Sequence, residues 1–276
     1  MEKSSPEAAN ERIKFENPPI QELGIALFHL PIMEMKSQHI GIYWGLIREK
    51  YPLCEHQTPI ASVSDAQPQQ LTVFQGVPGE VFPLPRFWFS SKSHPTLIQV
   101  QRNAFILNWR REAATEDYPH YEKVVEDFWQ ELERYKTFVQ ESVGGKIDVI
   151  QRCELTYVNL ITPNETFTSL AQITNVIPST ASLCDIQTDD RKLTGLNATV
   201  TYQVNPTLLI DLAIRLGHRL PTKEVAAILE LKAHGVPSDL SLDGARAWYD
   251  SAHNATYKLF LDATDKKVQK TIWKPR

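Results

Sequence analysis

Polar side chains interrupt several stretches that otherwise show the apolar alternation of buried β-strands. Asn108 and Arg110 share one face of such a stretch, and Gln99 and Gln101 share one face of the stretch before it. Arg110 offers a planar fork that suits a carboxylate or a phosphate, and the Gln99 and Asn108 amides suit polar recognition. These four residues predict a polar floor that binds a ligand or a partner.

Glu154 adds a carboxylate to this prediction. It lies on a later stretch, where Glu154 and Thr156 alternate with Cys153 and Leu155. If the two strands are neighbours, we expect Arg110 and Glu154 to pair across them. The alternative is that this face of an antiparallel sheet is simply exposed to water, where an ion pair contributes little.

His253 is a candidate general base or ligand, because Asp250 lies three residues before it on a helical pattern. The apolar stripe beside it, which includes Tyr249 and Phe260, favours a second interpretation. A histidine at the edge of such a stripe is commonly a packed, hydrogen-bonded residue.

The remaining chemistry-bearing residues lack the spacing of known motifs. The 8 histidines contain no HxH or HExxH, and the 3 cysteines contain no CxxC. There is no GxSxG, SxxK, GxGxxG or GxxxxGK[ST] sequence. We therefore predict no metal, no cofactor and no disulfide framework, which favours a reducing cytoplasm, and we expect Cys153 to be a buried, inert thiol.

The C-terminal residues 266–276 are rich in basic side chains and contain no acidic residue. With Trp273 among them, they could hold a phosphate backbone or an acidic partner. The alternative is a helix end favourably charged against its dipole, followed by a solvated tail. The whole chain carries 29 Lys and Arg against 33 Asp and Glu, so we do not expect nucleic acid as its main partner. The candidate tail contacts are Lys266, Lys267, Lys270 and Lys274.

Hydrophobic periodicity predicts the elements that position these residues. A strand at 20–30, a helix from 40 to about 51, and one or two weak strands within 58–85 come first. A meander at 86–90, 96–101 and 104–110 precedes a long helix at 121–139. The second half is expected to have strands at 147–161, 180–188, 196–204, 208–216 and 224–234. We also expect a short helix at 166–173 and a closing helix capped by Ser241 or Asp243.

Both halves of the chain show the same order: strand, helix, several antiparallel strands, long helix. This recurrence predicts an α+β fold of two similar lobes, each a curved antiparallel sheet packed on a long helix, in a helix-grip-like pseudo-duplication. The alternative is one continuous α+β domain in which common elements recur by coincidence. The expected division is a flexible leader at 1–18, lobes at 19–145 and 146–265, and a basic tail at 266–276.

Four strings carry a resemblance to a known family: LIQVQ at 97–101, NWR at 108–110, YPHY at 118–121 and ELTYVN at 154–159. In these the chain resembles a sporadically distributed bacterial protein family of unknown function. The resemblance covers nearly the whole chain and implies no catalytic or binding residue. The patchy distribution that it implies suits genes on mobile elements, such as defence or toxin–antitoxin modules.

These observations favour a cytoplasmic, non-enzymatic interaction or ligand-binding protein, an accessory or neutralising member of such a module. Its expected partner is a protein, and one form of this hypothesis has that partner encoded by a neighbouring gene. Self-association of the chain is a further alternative. The sequence has no run of 18 apolar residues, so we expect no membrane span. Its N-terminal stretch is polar, so we expect no secretion signal. The alternative function is a hydrolase or nuclease whose site on the polar sheet face combines Asn108, Arg110 and Glu154 with His253.

Overall fold

The sheet is the central element of the computed structural model, which describes residues 13–60, 84–112, 117–184, 192–219 and 221–276. Within these ranges nine antiparallel strands form one open sheet in the order β2-β3-β4-β5-β1-β6-β9-β8-β7. The strands are β1 (Ile20–His29), β2 (Leu53–Gln57), β3 (Arg86–Ser90), β4 (Thr96–Gln101), β5 (Ala104–Arg110), β6 (Ile150–Ile161), β7 (Leu196–Asn205), β8 (Leu208–His218) and β9 (Val225–Gly235).

Helices cover one face of this sheet. The long ones are α1 (Ser37–Ile47), α2 (His120–Phe138) and α4 (Leu242–Ala263), and the short ones are α3 (Ala181–Cys184) and α5 (Lys266–Val268). Single π-helical turns at Val139–Val143 and Gln269–Trp273 extend α2 and α5, and 3₁₀ turns lie at Leu170–Asn175 and Pro178–Thr180. No helix among the described residues is long and apolar enough to cross a membrane.

The main core lies between the sheet and the three long helices. Alternation along β1 turns Leu23, Ile25 and Leu27 toward it, and all three are fully buried. The helices meet these strands with aromatic rings, among them Tyr135 of α2 and Tyr249 of α4. The Tyr249 hydroxyl donates a hydrogen bond of 2.6 Å to the Ala26 carbonyl, which ties α4 to the central strand.

Most predicted elements are confirmed, and three expectations differ from the structure. The short helix predicted at 166–173 is wrong over 166–169, and a 3₁₀ turn at Leu170–Asn175 follows Ser169. The predicted strand at 180–188 is wrong over 180–184, where a 3₁₀ turn begun by Pro178 leads into α3; residues 185–191 lie outside the described ranges. Strand β2 was not expected, since its side chains are mostly exposed and lack a clear alternation. Most of the weak-strand region, residues 61–83, also lies outside the described ranges.

The α+β class is confirmed, and the sheet runs across the predicted boundary at 145/146. β1 pairs with β6 along its length, with Leu23 opposite Tyr157 and Ala26 opposite Glu154. The two predicted lobes therefore share one sheet. Ser241 caps α4, its hydroxyl accepting from the Gly244 amide at 3.1 Å.

Residues from both ends of the chain pack together beside α4. Phe15 is buried, and its ring centroid lies 6.4 Å from Phe260 and 6.0 Å from Trp273. The Arg276 amide donates to the Lys14 carbonyl at 2.7 Å. Residues 13–18 of the predicted flexible leader and the predicted solvated tail are thus folded, because Phe15 and Trp273 bury apolar surface against each other. Residues 1–12 lie outside the described ranges.

Candidate functional site

A chain of hydrogen bonds crosses four strands on the sheet face opposite the helices. Trp88 Nε1 donates to Gln99 Oε1 at 2.9 Å, and Gln99 Nε2 donates to Asn108 Oδ1 at 2.6 Å. Asn108 Nδ2 then donates to Glu22 Oε1 at 2.6 Å, and Arg86 also donates to Gln99. Gln99 is 6% exposed and Asn108 is 8% exposed. The structure brings these two predicted residues together and engages their amides with protein partners.

Arg110 lies at the end of this chain, directly opposite Glu22 in the β1–β5 pairing. Burial raises the pKa of the Glu22 carboxyl, while the hydrogen bond from Asn108 and the positive charge of Arg110 act in the opposite direction. The Arg110 guanidinium lies 5.8 Å from the centre of the Trp88 ring. An anionic ligand at Arg110 would therefore compete with Glu22 for the same charge.

Glu154 belongs to a separate group of charges. Its carboxylate pairs with Arg152 Nε at 2.9 Å and with Lys232 Nζ at 2.9 Å, the latter from the adjacent strand β9. Both partners lie on the same sheet face as Glu154. Each oxygen of this carboxylate thus has a cationic partner within the protein.

The expected pairing of Arg110 with Glu154 is wrong, because β5 and β6 are not neighbours. β1 lies between them. Arg110 is opposite Glu22 whereas Glu154 is opposite Ala26, four residues further along β1, which places the two about 13 Å apart along the strand direction.

One further ion pair and two polar contacts continue across the same face toward β7. Arg215 pairs with Glu230, and His234 Nε2 lies 3.3 Å from Asp211 Oδ2. The Thr201 hydroxyl donates to the other Asp211 oxygen at 2.6 Å. Cations and carboxylates alternate in this half of the face, so it does not present a field of one sign to a charged partner.

Gln101 is the remaining residue of the predicted polar floor. Its side-chain amide binds the backbone of the chain itself. Its Oε1 accepts from the Ile60 amide at 2.9 Å, and its Nε2 donates to the Ile60 carbonyl at 3.2 Å. Ile60 packs there on a small apolar cluster. The arrangement holds the segment after β2 against the sheet and leaves no free Gln101 amide. The cluster consists of Ala26, Phe28, Ala104 and Ile106.

His253 lies on the opposite side of the sheet from these polar residues. Its Nδ1 is 2.8 Å from the Tyr157 hydroxyl, and its ring stacks on Tyr121 with a centroid separation of 3.8 Å and an interplanar angle of 11°. It is buried. The structure therefore does not assemble His253 with Asn108, Arg110 or Glu154, and it shows the packed, hydrogen-bonded histidine of the second interpretation.

The predicted basic contacts lie on the folded C-terminal segment. Asp265 caps α5 by accepting from the Lys267 and Val268 amides, and Lys266 Nζ donates to the Leu261 carbonyl at 2.8 Å. The side chains of Lys270 and Lys274 are exposed. These lysines are presented by an ordered surface, and their role in binding stays a prediction.

An uncharged edge strand, β7, is a feature that no sequence motif indicates. β7 is the last strand of the sheet in the part of the chain that the structure describes, and its ten residues contain no Asp, Glu, Lys or Arg. Val200, Tyr202 and Val204 are exposed by 48%, 45% and 48%. Val200 and Tyr202 lie opposite Leu212 and Ile210 of β8, which are core residues, so these two side chains continue the core face of the sheet onto its edge strand. In the sequence, the only sign of this edge strand is the absence of charged residues from 196 to 205.

The described residues contain no cluster of three or more His, Cys, Asp or Glu side chains that could hold a metal ion. The class defined so far is an α+β protein built on one open antiparallel sheet. No protein-family model, no curated protein and no solved structure matches the chain.

Proposed function

We propose that the protein is a non-enzymatic interaction protein that binds a partner protein by strand addition at the β7 edge. The observation that carries this proposal is the uncharged, exposed edge of β7. One side of that strand is paired with β8, and no strand among the described residues pairs with its other side, which leaves a row of backbone N–H and C=O groups there.

Edge strands in folded proteins are ordinarily protected by charge, proline or a covering segment. β7 has no charged residue and no proline along ten residues, and its apolar side chains are exposed. The strand at the other end of the sheet, β2, contains Glu55 and His56 within only five residues. The contrast favours β7 as the edge that receives a partner.

The alternation along β7 defines the chemistry of the expected partner. Val200 and Tyr202 project from one face, and Thr199 and Thr201 project from the other. An added strand would bury its own apolar side chains beside the first set and place hydroxyl or amide side chains beside the second. We therefore infer an extended, uncharged segment of a partner protein with apolar residues at alternate positions.

The experiment is co-expression of the full chain with the product of the adjacent gene, followed by affinity purification through a tag on the chain. We expect the two proteins to co-purify in equal amounts and the β7 amides to gain protection from hydrogen exchange in the complex. Val200→Lys and Tyr202→Lys place a charge on the exposed strand face and should abolish co-purification.

Leu53→Lys in β2 is the matched control, since it adds the same charge to an exposed apolar position on the other edge. It should leave co-purification unchanged. The proposal is overturned if the adjacent gene product does not bind, or if the β7 variants bind it as well as the Leu53→Lys variant does. A chain that forms a dimer through β7 on its own also overturns it.

The wider setting of this function is part of the proposal. A cytoplasmic location is supported by the three free thiols. A role as the accessory or neutralising member of a mobile defence or toxin–antitoxin module rests on the sequence resemblance alone, and co-expression with the adjacent gene product tests it directly. The hydrolase or nuclease alternative required His253 as a general base beside the other site residues. The sheet separates His253 from Asn108, Arg110 and Glu154, which argues against that alternative.

We also propose that the two halves arose by internal duplication. The strand order is consistent with it: β1 and β6 are central neighbours, β5 and β9 flank them, and β4 and β8 follow on each side. The long helices α2 and α4 come last in their respective halves. Superposition of residues 19–145 on 146–265 tests this, and unrelated paths for the paired elements would contradict it.

A further inference from the structure

We propose that a cavity beside α4 binds a small, single-ring aromatic molecule carrying an oxygen that accepts a hydrogen bond. The cavity has a volume of about 110 Å³ and lies between α4, the start of α2, the sheet and residues 13–20. It is on the helix side of the sheet, remote from the polar face and separate from the β7 edge.

Flat rings form much of its lining. Tyr121 and His253 stack in parallel at 3.8 Å, and the Tyr157 hydroxyl fixes the histidine ring through its bond to Nδ1 at 2.8 Å. Phe260 lines the cavity from the next turns of α4. Rings held rigidly in this way favour an aromatic guest, which can stack or meet them edge to face.

The lining includes a buried hydroxyl, that of Thr256, which has no hydrogen-bond partner among the described residues. Thr256 is 2% exposed and lines the cavity, and its Oγ1 makes no hydrogen bond with any part of the chain that the structure describes. Burying a hydroxyl without a hydrogen bond costs free energy. A ligand oxygen within the cavity would accept from Thr256 and remove that cost.

The volume limits the ligand to one ring. A closed apolar cavity of about 150 Å³ holds benzene. At about 110 Å³ and with the exposed residues Lys14 and Glu122 in its lining, this cavity accommodates a ring whose edge extends toward solvent, but not a nucleotide or a peptide side chain together with its backbone.

Charges near His120, a residue of the lining, favour an oxygen substituent over a cationic one. Burial lowers the pKa of His120, and the nearby Lys14 and Arg276 lower it further, against an opposing effect of Glu122. Two cations against one carboxylate attract the partial negative charge of a phenolic or carbonyl oxygen.

The experiment measures binding of phenol and toluene, which have nearly the same shape, to the full-length protein by NMR titration. We expect both to perturb signals of Tyr121, Tyr157 and His253, and phenol to bind about five- to tenfold more tightly than toluene, as one additional hydrogen bond gives. Thr256→Val should remove this preference while leaving toluene affinity unchanged.

Ile20→Phe, which adds volume at a half-buried position of the lining, should weaken both probes. The melting temperature of each variant is measured in parallel to verify folding. The proposal is overturned if neither probe binds the wild-type protein, if the preference for phenol survives in Thr256→Val, or if Ile20→Phe binds both probes like the wild type.

Discussion

Gly24 lies directly opposite Asn108 in the sheet, and a β-carbon at residue 24 would come within 2.9 Å of Asn108 Nδ2. That nitrogen already donates to Glu22 Oε1, while Asn108 Oδ1 accepts from Gln99. The missing side chain at Gly24 is what lets the buried amide lie flat across β1. The hydrogen-bond chain on the open face therefore depends on a glycine that contributes no polar atom of its own.

Replacing this glycine should break the chain of hydrogen bonds. We expect Gly24→Ala to lower the free energy of unfolding by about 1–3 kcal/mol, since the Asn108 amide must move and leave buried partners unsatisfied. Urea denaturation measures the change. In an Asn108→Ala background the same substitution should cost much less, and an equal cost in both backgrounds would contradict this explanation.

Arg110 should control the ionisation of Glu22. The positive charge of Arg110 lowers the pKa of a carboxyl that burial raises, so Arg110→Ala should raise that pKa further. Arg110→Lys keeps the charge and should restore most of the effect. NMR titration of the Glu22 side-chain carboxyl measures both variants, and an unchanged pKa in Arg110→Ala would show that the charge does not act on Glu22.

His29 should make the protein less stable in mild acid. Burial lowers its pKa from 6.5 to about 4, against an opposing hydrogen bond between Nδ1 and the Leu30 carbonyl. A histidine with a lowered pKa contributes stability that is complete above about pH 6.5 and is lost progressively as the pH falls from 6.5 to about 4. The loss amounts to about 2 kcal/mol between pH 7 and pH 5.

The comparison for His29 is His29→Gln, which does not titrate in this range. Its free energy of unfolding, from urea titrations at pH 7 and pH 5, should fall by about 2 kcal/mol less than that of the wild type over the same interval. The absolute stability of the variant does not matter for this test. Equal pH dependence in the two proteins would place the acid sensitivity elsewhere.

The three cysteines should differ sharply in reactivity. Cys54 is exposed, whereas Cys153 and Cys184 are buried, and burial raises the pKa of the Cys153 thiol to about 12. A thiol reagent such as Ellman's reagent should label one cysteine in the native protein and all three in denaturant. Cys54→Ser should abolish native labelling, and rapid labelling of that variant would contradict the burial of the other two.

Much of the local structure follows from the order of residues. Alternation in 104–110 places Phe105, Leu107 and Trp109 on one face, and the structure buries all three in the main core. Spacing by three and four residues locates α2, because that helix must turn one continuous apolar stripe toward the sheet. The same patterns place Asn108 and Arg110 together on the opposite face.

Which strands become neighbours could not be read in this way. The alternation is the same whether β5 pairs with β6 or with β1, so it left the partner of Arg110 undetermined, and that partner is Glu22 and not Glu154. A stripe at helical spacing likewise locates His253 on α4 without showing what it faces. Periodicity reports the side of a strand or helix that is buried, whereas strand order depends on the packing of the whole core, which joins residues distant in the chain. Tertiary structure alone therefore separated His253 from the polar face, left β7 at an edge and enclosed the cavity around Thr256.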